Sequence, residues 1–189
     1  MIGDSLAPAL APARWRALTV TSVTVIEAAL VWRFGWTAPL AAYLYLGSVL
    51  TVAAVIDART FTMPNALLLP SYPIGIGLLV VAAVADGRWW PLGRAVIAMG
   101  AVAGFYLAIA LVAGGQRLGL ADVTLGGLVG LFLGWVSWSA LSTGVILGWV
   151  VALVAILVWR PQRHGQRARV IPAGPCLWLG ALVAVLATK

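Results

Sequence analysis

The 189-residue chain is 63% hydrophobic, only 9% charged, and has a mean hydropathy of +1.05, which leaves too few charges to build the hydrated shell of a soluble domain. Its net charge of +7 does not point to nucleic acid, because the arginines lie at the ends of apolar runs and form no stripe with polar spacing. One cysteine, Cys176, and one histidine, His164, exclude a disulfide framework, a multi-ligand zinc centre and a Cys/His nucleophile pair within the chain.

In chain order, the opening "MIGDSLAPALAPARWR" is short, mixed and Pro-rich. It lacks the layout of a cleaved signal peptide, so residues 1–16 are expected as an N-terminal tail. Seven apolar segments come next: about 17–34, 37–57, 65–85, 92–114, one from 123, then about 141–159 and 170–188. Residues 123–159 carry no charge. As one helix they would run roughly 55 Å, nearly twice the hydrocarbon core. The spacing therefore predicts a break within "SWSALSTG", 137–144, with Trp135 and Trp138 at an interface. Trp15, Trp32, Trp36, Trp89, Trp90 and Trp159 also mark segment ends, as an aromatic belt does. The expected fold is an all-α polytopic membrane bundle of about seven transmembrane helices, one domain over 17–189.

Seven spans place the termini on opposite sides. One side then holds eight basic residues (Arg14, Arg16, Arg59, Arg117, Arg160, Arg163, Arg167, Arg169) and the other four (Arg33, Arg88, Arg94, Lys189). The richer side is expected to be cytoplasmic, which puts the N-terminus inside a multi-pass protein of the cell membrane. The loop "RPQRHGQRAR", 160–169, reads as part of that solvated basic face, with His164 as a loop residue.

The chain has five acids. Asp4 lies in the tail, and Asp86 precedes Gly87 in a turn. Glu27, Asp57 and Asp122 fall in or at the spans, where an ionisable group is expensive and a functional candidate by default. Asp122 could be the N-cap of its helix. Asp57 ends a segment, where the negative pole of the helix opposes it. Gly126, Gly130 and Gly134 come after Asp122 at four-residue spacing. That face invites close approach of another helix and turns Asp122 away from lipid. Asp57 and Asp122 share one predicted side and depth, which suggests an aspartic-protease pair: one ionised, one protonated, flanking a water. Glu27 stands outside that pair as a possible modulator.

The residues around these two acids resemble the prepilin peptidases, the type IV leader peptidase family. "DARTFTMPN" (57–65) is similar to the family's first motif, with Pro64 and Asn65 closing it. "LGLADVTLGGLVGLFLGW" (118–135) is similar to the second, whose Gly-x-Gly-Asp reads here as Gly119, Leu120, Ala121, Asp122, with Gly126 further on. "IPAGPCLWLGALVA" (171–184) resembles the closing segment. The likeness implies that Asp57 and Asp122 are catalytic and that Pro64, Asn65, Gly119, Ala121 and Gly126 support them. It implies a partner as well: a pilin-like precursor of type IV pili or protein secretion, whose basic leader is removed at the cytoplasmic membrane face. No cofactor and no metal are implied. Ala121 stands where the pattern has Gly, Thr124 where it has Lys, and the paired Cys-x-x-Cys insert of methylating members is absent. A peptidase without methyltransferase activity is therefore expected. Two other classes stay open: a catalytically degenerate relative acting as a membrane scaffold, and a small proton-coupled transporter using the same acids.

Overall fold

The computed structural model describes residues 13–112, 120–158 and 173–188. Gly119, Arg117, Trp159, the basic loop with His164 and the first twelve residues lie outside the described residues. Seven helices are present among those described: α1 (Ala13–Phe34), α2 (Leu40–Thr60), α3 (Asn65–Asp86), α4 (Trp90–Val112), α5 (Leu120–Val136), α6 (Trp138–Val158) and α7 (Ala173–Ala187). Five of them, α1 to α4 and α6, are long and apolar enough to cross a membrane, whereas α5 and α7 are shorter. The protein is a polytopic membrane helix bundle.

Several helix boundaries have a local cause. Gly35 and Gly87 adopt left-handed backbone, φ 56° and 64°, just beyond α1 and α3, a conformation that glycine takes without Cβ strain. α1 begins at Ala13, inside the stretch expected as a tail. α3 runs unbroken through Pro70 and Pro73. The expected break between the fifth and sixth spans falls at Ser137. Its hydroxyl accepts the N–H of Ala140 at 2.9 Å, an N-cap bond that starts α6. Arg94 ends α5 from outside: its guanidinium donates to the carbonyls of Gly134, Trp135 and Val136 at 2.6, 2.6 and 2.8 Å. These are last-turn carbonyls with no helical partner, at the negative pole of the helix. Arg33 serves α7 in the same way through Val185 and Thr188. Two of the four basic residues on the poorer side are thus bound to helix ends.

Lipid tails are as apolar as leucine, so helices in a bilayer associate through close packing and interhelical hydrogen bonds. Both are visible here. α5 is the central helix: it meets α2, α3, α4, α6 and α7, and every residue from Leu125 to Trp135 is buried. Trp135, expected at an interface, is only 7% exposed because its helix is surrounded by protein. The expected glycine face receives α4: a Cβ on Gly130 would lie 2.6 Å from the Ala98 carbonyl oxygen, and one on Gly134 2.9 Å from Ala95 Cα. Gly148 and Gly180 bring α6 and α7 equally close. Through the middle runs an aromatic row, Phe34, Tyr43, Phe132 and Trp178, with successive ring centroids 4.0, 4.6 and 5.2 Å apart. Its polar tips are satisfied: Tyr43 donates to the Phe132 carbonyl at 2.7 Å and Trp178 to the Thr51 hydroxyl at 3.1 Å.

This packing makes a prediction about two glycines. Gly130→Ala drives a methyl into rigid backbone and should lower unfolding stability in detergent micelles by about 1–3 kcal/mol. Gly100→Ala, where a Cβ meets nothing within 4 Å, should be neutral or slightly stabilising, since alanine is the better helix former. Equal effects of the two substitutions would contradict the close approach of α4 and α5.

Candidate active site

The first acidic motif is a helix stop, a turn and a helix start. Phe61 N–H bonds to the Asp57 carbonyl at 2.8 Å, and Phe61 is left-handed at φ 54°, the sole non-glycine with positive φ among the described residues. Such a cap is usually glycine, so the chain holds this turn against a steric preference. Thr60 adds bonds to the Ile56 carbonyl at 2.8 Å and the Thr62 hydroxyl at 2.7 Å. Pro64 is the residue just before α3, and its carbonyl accepts the N–H groups of Leu67 and Leu68 at 2.8 and 3.1 Å. Asn65 is the first residue of α3 and is exposed. The turn therefore fixes where α2 ends, and with it the level of Asp57.

Asp57 lies near the end of α2, facing inward, and is 5% exposed. A carboxylate there opposes the negative pole of its own helix. The compensation comes from the far end of the sequence: Gly174 N–H, in the first turn of α7, donates to Asp57 Oδ2 at 3.0 Å. Helix N-termini offer unpaired N–H groups and a positive pole to anions. A Cβ on Gly174 would lie 2.8 Å from that carboxylate oxygen and collide with the Met63 side chain, so only glycine permits this approach.

Asp122 is the third residue of α5. It is not the N-cap that its place at the segment start allowed, because the helix already begins at Leu120, two good helix formers earlier. In the first turn its charge still sits at the positive pole. The two carboxylates are at one end of the bundle, Asp57 near the end of α2 and Asp122 in the first turn of α5. Ala121 lies within the helix and so needs no positive φ. The replacement of glycine at that position carries no backbone strain.

Two tyrosines that the sequence alone does not single out hold the first turns of α5. Tyr72 of α3 donates its hydroxyl to the Thr124 carbonyl at 2.7 Å, and its phenol fills the space that a side chain at position 127 would need. Tyr106 of α4 occupies the equivalent space at Gly126, its ring 2.8 Å from where a Cβ would stand. The doublet Gly126-Gly127 was the available signal: one glycine serves a face against α4, and the second serves α3. Thr124, in place of a lysine, bonds through its hydroxyl to the Leu120 carbonyl at 3.1 Å.

Glu27 does not join this group. It accepts a hydrogen bond from Ser48 at 2.6 Å. Ser48 lies nine residues before Asp57, about 13 Å along α2. Cys176 is buried. Among the described residues no cluster of three or more His, Cys, Asp or Glu side chains could hold a metal ion.

Known proteins are similar to this chain over most of its length. The sequence model of the type IV leader peptidase family matches residues 44–159. The chain is 31% identical over 176 residues to the prepilin leader peptidase/N-methyltransferase of Pectobacterium carotovorum subsp. carotovorum, covering 88% of this chain and 58% of that protein. It is 33% identical over 174 residues to the protein of the same name from Dickeya chrysanthemi, covering 88% and 57%. With the one from Pseudomonas putida it shares 30% over 176 residues, covering 89% and 57%. The chain thus spans somewhat over half the length of these curated relatives. No solved structure matches it. With a family match over more than half of its residues, running through both acidic motifs, the chain belongs to the type IV leader peptidase family.

Proposed function

We propose that this protein is an aspartic endopeptidase of the cytoplasmic membrane that removes the basic leader from type IV pilin-like precursors, with Asp57 and Asp122 as the catalytic pair. The observation that carries the reading is that these two acids lie at one end of the bundle, each at a helix N-terminus. Like charges that close do not both ionise cheaply, so the pair shares one proton near neutral pH. The ionised carboxylate takes a proton from water as the oxygen attacks the peptide carbonyl, and the protonated one gives its proton to the carbonyl oxygen. Collapse of the tetrahedral adduct breaks the C–N bond: the proton taken from water passes to the leaving amine, and the second carboxylate takes a proton back from a hydroxyl of the adduct as the new carboxyl group forms. Leader and mature chain separate with the pair back in its starting state.

The level of the site suits this substrate. Asp57 and Asp122 lie at the end of the bundle that also carries Arg14, Arg16 and Arg59, the end assigned to the cytoplasm by its basic residues. A precursor whose apolar helix enters the bilayer beside the protein would present its leader junction at that height. We read the chain as a peptidase without methyltransferase activity, since these 189 residues contain one cysteine and no Cys-x-x-Cys pair. Pro64, Asn65, Gly119, Ala121 and Gly126 act in support of the pair, and any effect of Glu27 is exerted at a distance.

Co-expression with a pilin-like precursor and a gel readout of leader loss tests this directly. Asp57→Asn and Asp122→Asn keep size and a hydrogen-bond acceptor, and each should reduce cleavage by roughly 10²–10⁴-fold with normal accumulation in the membrane. Cleavage by either variant at the wild-type rate would defeat the assignment. Tyr72→Phe removes one hydrogen bond to the Asp122 helix. It should lower kcat by about fivefold, the scale of a single bond worth about 1 kcal/mol, with KM little changed; a rise in KM at constant kcat would mean that Tyr72 contacts substrate instead.

A further inference from the structure

On the face of the bundle formed by α1, α2 and α7 lies an apolar groove of about 190 Å³, walled by Trp15 and Leu18, by Ala54 and Ala58, and by Pro175 and Leu179. Trp178 and Thr51 also border it, but their polar tips are bonded to each other. Ser22 is the other polar residue on its wall and the rest of the lining is apolar, so the groove asks mainly for hydrocarbon. Its mouth does not. Arg59 comes directly after Ala58 on α2, and its guanidinium carbon is 5.8 Å from the centroid of the Trp15 ring. Its Nη1 is shielded from solvent and has no hydrogen-bond partner among the described residues. Arg14 and Arg16, both exposed, flank Trp15 in the sequence. The acid nearest in the chain, Asp57, is turned into the bundle toward Gly174.

A sheltered guanidinium N–H without an acceptor is costly, and Arg59 together with the exposed Arg14 and Arg16 at this end of the bundle favours an anion. A basic leader is therefore a poor occupant on charge. We propose that this face is a binding site for one anionic phospholipid, its phosphate on Arg59 beside the Trp15 ring and one acyl chain laid along the groove. Juxtamembrane arginines attract anionic headgroups in general; here a shaped apolar slot continues from the guanidinium and would hold a single molecule. The site stands independently of which precursor the carboxylates cut.

Native mass spectrometry of the intact protein in mild detergent tests the proposal, with phosphatidylglycerol and phosphatidylcholine of identical acyl chains as probes. The first equivalent of phosphatidylglycerol should bind at least about tenfold more tightly than phosphatidylcholine, and Arg59→Gln should remove that margin, the scale of one lost charge-assisted contact. Arg59→Lys should recover part of it. Ala54→Phe, which fills the groove, should weaken both lipids, and Arg88→Gln at the other end of the bundle should change neither. Equal affinity for the two lipids in the wild type, or an unaltered margin in Arg59→Gln, would overturn the proposal. So would displacement of the bound lipid, one for one, by a synthetic precursor helix, which would make the groove the seat of the substrate.

Discussion

The hydrogen bond from Gly174 N–H to Asp57 is the constraint on which the site depends. It joins residues 117 positions apart in sequence, and it settles an electrostatic conflict that the chain creates for itself. A carboxylate near the C-terminus of α2 faces the negative pole of its own helix. Turning the N-terminus of α7 onto it supplies both an N–H and an opposing pole. Asp122 meets the same need more simply, from within the first turn of its own helix. Two helix N-termini therefore converge on two acids. That arrangement lowers the cost of holding charge near the membrane interior.

The rest of the fold serves that convergence. α5 can carry Asp122 to the site only because it runs through the middle of the bundle, and it can do so only because its glycines admit α4 at Gly130 and Gly134, Tyr106 at Gly126 and Tyr72 at Gly127. At its other end Arg94 closes three carbonyls. Tyrosines anchor one end of α5 and an arginine caps the other, while the segment between is packed almost backbone to backbone. Where burial of apolar surface cannot drive association, hydrogen bonds to main-chain carbonyls and close glycine contacts take over. The same device recurs between α6 and α7 at Gly148 and Gly180, with Arg33 at the end of α7.

Much of this was legible from residues alone, and the reasons differ by feature. The spans were legible because apolar length is set by the bilayer: the segment 65–85 became Asn65–Asp86, and the break expected within 137–144 fell at Ser137. The two acids were legible because charge is rare in such a chain. The glycine spacing announced close packing, and α4 proved to be the partner. Trp135, read as an interface residue, stands at the end of its helix but is covered by neighbouring helices. Tyr72 and Gly174 act through pairings 52 and 117 residues apart, which no local pattern encodes. Glu27 drew notice as an acid within a span, yet it bonds to Ser48 well away from the pair: rarity marks a candidate, and only geometry says where it acts.

The central claim is that Asp57 and Asp122 work as one acid–base unit. The most direct measurement is the pH dependence of kcat/KM for cleavage of a precursor by the protein reconstituted in lipid bilayers. A pair that shares a proton gives a bell, rising as one carboxyl ionises and falling as the second proton is lost, with both apparent values belonging to the pair. Gly174→Ala, which disturbs the N–H held by Asp57, should displace the bell along the pH axis. A profile that is flat across the carboxylate range, or one that stays in place when the Gly174 contact is altered, would contradict the account.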